Sequence, residues 1–440
     1  MLIDLLRASA DRDPDRALVV TDSSVAPVGQ VLAQAEGVAA GLAARGIGRI
    51  ACLVDDVGPL LAIMCGAAAA GVEICICPTY LGAEALDEVL AAIGNPMVVT
   101  SVSDLLDDEP GRPPGSADDP GLLILTSGTT GRPKATRHRW SRLVAGVASD
   151  PRSTWLLTYN VNQFAGIQIL LHVLVNDGTL VVPRSRRPDD VVSAVARHGV
   201  THASGTPTFW RLLLAQAAEA EGLALRQITL GGEVVPGDLL RRLAERFPDA
   251  RITHIYAGTE FGSAIAVSDG LPGIPVELLE RGGGRAQLRV VDGELLVRST
   301  VGMVGYAGDA DVPGSEWFAT GDLVEEVGDR LIFTGRVNDR INVGGTKVSP
   351  HQVEDVVYAV DGVRLAAAYG KPNPITGAIV AVDVVPEPGR DQAGLKQAIR
   401  EACEQLPAPA RPRLVRFVDS LEERAGKTIR GAAGMTESAT

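Results

Sequence analysis

No pair of cysteines in this chain is spaced as CxxC, and the five present (Cys52, Cys65, Cys75, Cys77 and Cys403) make an odd total. Both facts argue against a disulfide framework and a structural zinc site. Cys75 and Cys77 alternate with Ile74 and Ile76 in an apolar run that stops at Pro78, the pattern of a buried strand with inert thiols. Histidine is as sparse. Only His198 and His202 lie four apart, and the Gly199, Val200 and Thr201 between them mark a helix end, not a ligand face. Long hydrophobic runs are absent too: the longest apolar stretch, 59–72, falls short of the roughly 20 residues that cross a membrane. Asp4 and the charges after it interrupt the opening segment where a signal peptide needs an unbroken apolar region. The expectation is a cytoplasmic protein with no membrane partner. Positive charge is in deficit as well, 41 Lys and Arg against 54 Asp and Glu, and a net charge of -13 disfavours nucleic acid as the main partner.

What the chain has is length and apolar content: 440 residues at 46% hydrophobic bury more than one core. Helical periodicity over 31–45 and 59–71 alternates with strands at 50–54 and 72–77. The same alternation continues through helices 188–198, 206–220 and 237–247 and strands 201–204, 227–230 and 251–256. This predicts a layered α/β domain with helices on both faces of a largely parallel sheet. After about Leu278 short strands at 286–291, 294–298 and 330–334, with glycine-rich turns, predict a small β subdomain. Helices at 350–360 and 391–405 with strands at 364–369 and 378–384 predict a separate small α+β domain. From Asp339 onward 13 basic and 13 acidic residues balance, so the net charge belongs to the part before it. Residues 407–413, with three prolines, read as a turn or loop.

The most specific stretch is Leu122 to Ala135. An apolar strand opens into Thr126, Ser127, Gly128, Thr129, Thr130, Gly131, Arg132, Pro133 and Lys134. Glycines let backbone N–H groups approach a polyphosphate, the hydroxyls donate hydrogen bonds, and Lys134 adds a point charge. The spacing is not that of a Walker loop, because Gly128 and Gly131 lie three apart and Ala135 follows the lysine. The bland alternative is a polar turn between two strands.

This loop resembles the core signature of the adenylate-forming superfamily of acyl-CoA synthetases, carrier-protein adenylation domains and luciferases. Further matches follow in the family's order. Gly231-Gly232-Glu233 matches the segment along the adenine. Tyr256-Ala257-Gly258-Thr259-Glu260 matches Tyr-Gly-x-Thr-Glu apart from Ala257, which implies Thr259 at the α-phosphate and Glu260 on magnesium. Thr320-Gly321-Asp322 matches the motif whose carboxylate takes the ribose hydroxyls. Gly335-Arg336-Val337-Asn338 followed by Gly344-Gly345 matches the hinge and the loop beyond it, with Arg336 among the nucleotide-binding and catalytic residues. Gly426-Lys427 matches the C-terminal catalytic lysine.

The resemblance implies a large ATP- and acid-binding domain, 1–337, and a small mobile domain, 338–440, hinged near Asn338. ATP, Mg²⁺ and either CoA or a carrier-protein phosphopantetheine are the implied cofactors. Lys427 would serve adenylation. The small domain would then turn and present Gly344 and Gly345 as a tunnel for the thiol arm. The acyl-pocket segment carries Asn162, Phe164 and Gly166, with Gly258 opposite; Phe164 or Asn162 would form the gate, or Phe164 would simply begin an apolar helix running to Val175. Asn160, Asn162 and Gln163 would bond a polar group on an aryl acid, or cap that helix. No acidic residue lies between Tyr159 and Leu171 to hold an amino acid's ammonium, so a simple carboxylic acid is the expected substrate. Arg411, Arg413 and Arg416 would meet CoA phosphates or an acidic carrier, or stand solvated beside a strand. The leading expectation is an AMP-forming acid-thiol ligase making an acyl-CoA or aryl-CoA, as monomer or homodimer. The alternatives are carrier-protein loading in secondary metabolism, transfer to nitrogen (amide formation or nitrite-dependent diazotisation), and, last, a non-catalytic nucleotide-binding protein.

Overall fold

The structure, a computed structural model, describes residues 2–106, 119–127, 133–217, 220–308, 316–421, 423–424 and 427–428. The helix Val57–Ala70 sets the architecture. It is apolar on every side, so no face of it suits water. The Asp56 side chain accepts from Gly58 N at its start, and Gly71 ends it in the left-handed region at φ 75°. The helix Val28–Ala44 crosses so close to it that a Cβ on Gly66 would stand 2.6 Å from Ala35 O. Both helices, with Phe164–Val175, fill one apolar cluster between two sheets. Leu18, Val19, Trp155 and Leu180 come from one sheet; Ile50, Ile74, Leu122 and Ile124 come from the other.

Two sheets replace the single one expected. The first has eight strands, in the order Gly262–Val267, Arg251–Gly258, Gln227–Gly231, His202–Gly205, Thr154–Leu156, Thr179–Val181, Ala17–Val20 and Val25–Pro27. Its interior strands run parallel, and the edge pairs are antiparallel. The second has six. Met97–Val99, Arg49–Cys52, Glu73–Ile76 and Leu122–Ser127 run parallel, followed by antiparallel Pro133–His138 and Gly305–Tyr306. The chain starts in the first sheet, builds most of the second between 49 and 138, and returns at 154. Local periodicity reports strand and helix but not which sheet a strand joins, so the division was illegible. Cys75 and Cys77 lie buried, as their alternation predicted, and all five thiols are free.

The antiparallel strands Ala286–Val291, Glu294–Ser299, Phe318–Val327 and Arg330–Arg336, with Ile274–Pro275, form the expected β subdomain. Residues from 341 on make a further sheet around the hairpin of Val363–Asn373 and Gly377–Pro386. The helices Pro350–Tyr358 and Gln392–Ala402 cover it through Val353, Val357 and Ile399, a core of its own. Within 407–413 the chain forms a short 3₁₀ turn, Ala408–Ala410. The helix Pro350–Tyr358 also touches Arg330–Arg336, and the Arg211 guanidinium from Pro207–Ala217 stands 4.1 Å over the Tyr358 ring. Among the described residues no helix is long and apolar enough to cross a membrane.

Candidate active site

The parallel strands Gln227–Gly231 and Arg251–Gly258 end side by side, with Gly231 opposite Ile255. Gly231, Gly232 and Glu233 therefore leave the sheet beside Tyr256, Ala257 and Gly258, at the carboxyl ends where open α/β sheets take ligands. Gly232 turns at φ 83°, a conformation that favours glycine. Thr259 and Glu260 occupy the tip of the turn into Gly262–Val267. That tip is pinned from behind: Met303 N donates to Glu260 O at 2.9 Å, and Gly302 packs so tightly that a Cβ would lie 2.7 Å from the same oxygen. The half-buried Thr259 hydroxyl and Glu260 carboxylate have no hydrogen-bond or ion-pair partner among the described residues.

Asp322 is the best-built acceptor. Its Oδ2 accepts from Tyr256 OH at 2.7 Å, and its Oδ1 stands 3.0 Å from Arg336 Nε. Arg336 Nη2 donates to Thr320 O at 2.8 Å, and Gly321 N donates to Glu294 Oε1 at 2.8 Å. These bonds fix the carboxylate while each oxygen keeps a lone-pair direction for hydroxyl donors. Burial, with the Asp322 charge adding to it, holds the Tyr256 phenol well above its ordinary pKa and so protonated. The Tyr256 ring lies 5.2 Å from that of Phe261 and 5.0 Å from that of Phe333, forming an aromatic wall.

The strands flanking the glycine-rich loop pair antiparallel, Thr126 opposite Lys134 and Ser127 opposite Pro133. The Thr126 hydroxyl donates across to Lys134 O at 3.4 Å, and Lys134 Nζ lies 5.4 Å from the centre of the Tyr306 ring. Gly128, Thr129, Thr130 and Gly131 lie outside the described residues, as does the side chain of Ser127.

Phe164 begins the helix Phe164–Val175, and its ring sits 5.8 Å from that of His138. Gln163 stands at the N-cap without a side-chain bond, and the Asn160 side chain accepts from Arg186, so neither caps the helix. Asn162 is half-buried in the loop before it. The space a side chain would take at Gly166 is filled by the Asn160 carbonyl, 2.1 Å from an ideal Cβ, and at Gly258 by the Phe261 ring at 2.5 Å. At both positions a side chain would collide with these neighbours, so close packing requires glycine there. The Glu233 carboxylate accepts from Thr208 N at 3.0 Å and Thr208 Oγ1 at 2.8 Å, at the start of Pro207–Ala217, which ties the segment 231–233 to that helix.

In the small domain Gly344 and Gly345 form an exposed two-residue hairpin turn between Ile341–Val343 and Thr346–Val348, at φ 58° and 90°. Asn338 lies exposed in the turn just before. The Lys427 backbone pairs with Arg424; its side chain lies outside the described residues. Two of the three arginines weighed for CoA are engaged within the small domain. Arg416 pairs with the buried Asp383 at 2.6 Å, and Arg411 donates to Leu406 O and Glu404 O. Sequence reasoning missed Glu294, Gly302, Met303 and Phe333. No motif marks them, and each acts on a residue far along the chain.

Models of the AMP-binding enzyme family match residues 102–307, and of its C-terminal domain residues 352–427. The chain belongs to this adenylate-forming superfamily. A feruloyl-CoA synthase of an Amycolatopsis species is 29% identical over 360 residues, 74% of this chain and 72% of that one. The solved structure of an anthranilate CoA ligase in complex with anthranoyl-AMP superposes with a TM-score of 0.82 at 21% identity, covering 97% of this chain and 95% of that one. An amide bond synthetase of Marinactinospora thermotolerans superposes with a TM-score of 0.77 at 21% identity, covering 96% of each chain.

Proposed function

We propose that this chain is an AMP-forming acid-thiol ligase: it activates a carboxylic acid with ATP as the acyl-AMP, releases pyrophosphate, and passes the acyl group to a thiol, CoA in the first place. The observation that carries the reading is the Asp322 carboxylate held by Tyr256 and Arg336, with Tyr256 on the strand that ends just before Thr259 and Glu260, whose side chains have no partner among the described residues. A carboxylate fixed by two donors suits a ribose diol. A hydroxyl beside a free carboxylate suits a phosphate oxygen and a hard cation, so Glu260 fits a magnesium site by the chemistry of its donors. Magnesium, when bound, supplies positive charge against the phosphates.

The chain's own residues do the rest. Asp322 and Arg336 orient the nucleotide, and Thr259 with the glycine-rich loop donates to the phosphates. As the acid's oxygen bonds the α-phosphorus and the bond to the bridging oxygen breaks, Lys427 stabilises the charge that develops there. The small domain then turns near Asn338 and brings Gly344 and Gly345 to the site, where two residues without side chains leave a passage for a pantetheine arm. With ATP and CoA as co-substrates, we place the enzyme in the cytoplasm.

The test is pyrophosphate release with ATP and magnesium across aliphatic, aryl, amino-aryl and amino acids, with and without CoA, identifying products by mass. CoA-dependent thioester from one acid class is the expected result. An adenylate that CoA does not discharge would shift the acceptor to a carrier-protein thiol or an amine. Release with no acid but with nitrite would overturn the acid reading.

A further inference from the structure

The large and small domains touch where the helix Pro350–Tyr358 meets Arg330–Arg336 and where the helix Pro207–Ala217 meets Val363–Asn373. Across this boundary the Arg211 guanidinium lies 4.1 Å over the centre of the Tyr358 ring, a cation–π contact. Each partner is fixed to its own domain. Arg211 Nη1 donates to Asp238 Oδ2 at 3.3 Å, on the helix Gly237–Arg246, and Tyr358 OH donates to Ala366 O at 3.1 Å. Arg211 also follows Thr208 by one turn on the same helix face, and Thr208 holds Glu233 of the segment 231–233. One helix thus carries both the boundary and that segment. The boundary itself is incompletely bonded. Arg211 is buried, yet its Nη2 has no hydrogen-bond partner among the described residues. The same is true of the buried Ser349 hydroxyl on the small-domain side, which stands 2.7 Å from where a Gly335 side chain would begin. A permanent interior pairs such groups in the great majority of cases. Groups that water can reach again on opening lower the cost of parting, so an under-bonded boundary suits one that opens.

We infer that Arg211 and Tyr358 form a latch between the two domains: closed, it holds the small domain in the arrangement of the first half-reaction, with the Gly344–Gly345 turn exposed, and it parts before the thiol is served. The inference rests on the two-half-reaction reading of the proposed function. A desolvated cation–π contact biases an equilibrium by roughly 3- to 30-fold. That is enough to favour one arrangement and small enough to be undone at each turnover.

A double-variant cycle tests it, because a shared contact makes the two changes non-additive. Arg211→Met keeps the apolar stem and removes the cation, Tyr358→Leu removes the ring face, and Tyr358→Phe keeps the ring and loses only the bond to Ala366. For each, single-turnover rates of adenylation and of thioester formation from supplied acyl-AMP are measured, with the melting temperature. Arg211→Met and Tyr358→Leu should each raise the ratio of thioester formation to adenylation by about tenfold. The double variant should go no further, and Tyr358→Phe should keep the wild-type ratio. Additive changes, an unchanged ratio, or equal losses in both half-reactions in step with melting temperature would overturn the inference and leave a packing contact. A second readout needs neither acid nor thiol: energy transfer between dyes on Glu245→Cys and Arg400→Cys, both exposed positions, the native thiols being buried. The population at the wild-type separation should fall in Arg211→Met and Tyr358→Leu, and an unchanged distribution in both would overturn the latch. If the wild-type protein released no pyrophosphate with any acid, the ligase reading would fail, and the dye separations would still decide the latch.

Discussion

Around Asp322 both carboxylate oxygens are occupied and oriented by Tyr256 and Arg336, which lie on different strands. At Gly344 and Gly345 the chain runs exposed through a tight turn, with nothing within 4 Å of where a Gly345 side chain would begin. The first region is built in advance, and the second stands open; in the proposed reaction it would gain neighbours by moving. Groups that orient ATP are needed throughout the first half-reaction, so preorganisation serves them. In the proposed reaction a thiol passage is needed only after pyrophosphate has left, and holding it away until then would keep the acyl phosphate from premature transfer.

The largest effect should come from the residue that this account assigns to one step alone. Lys427→Ala is expected to slow adenylation by roughly 10²- to 10³-fold, as loss of one transition-state donor does, while thioester formation from supplied acyl-AMP continues. Rapid-quench assays of each half-reaction check it. Next is Asp322→Asn, which keeps the shape but weakens charged hydrogen bonds. The KM for ATP should rise by about 10- to 100-fold with the KM for the acid little changed, as read by pyrophosphate exchange at varied ATP. Gly345→Val sharpens the comparison from the other side. A side chain in the left-handed region costs roughly 1–2 kcal/mol, and a branched one narrows the passage. Thioester formation should fall by about tenfold with exchange unchanged, both measured on one preparation.

The smallest expected effect is on stability against pH. His138 and His172 titrate near 3 and 4 when folded, below the ordinary histidine value, because burial disfavours their charge. Both bind protons more readily unfolded, so their contribution is present above pH 6.5 and is lost as pH falls through that value toward 4. Both groups predict a fall in denaturation midpoint from pH 6.5 to 4.5, read by chemical denaturation at each pH.

Much of this was legible locally. Pro188 at the first turn and Gly199 in the left-handed region at φ 60° bound the helix Pro188–His198 where the sequence placed it. The motif residues Tyr256 and Asp322, 66 positions apart, do meet. What was illegible depends on distant partners. The Asn160 carbonyl occupies the space beside Gly166, Thr208 engages Glu233 across 25 residues, and Asp383 engages Arg416 across 33. A side chain's spacing to its sequence neighbours carries no information about such contacts.

The central claim is that two half-reactions use two separate regions of one chain, and it is tested most directly by running both in single turnover for the wild-type protein, Lys427→Ala and Gly345→Val in parallel. The account predicts a crossed pattern, with Lys427→Ala deficient in forming acyl-AMP and Gly345→Val deficient in discharging it to the thiol. Parallel losses in both half-reactions for both variants would contradict it.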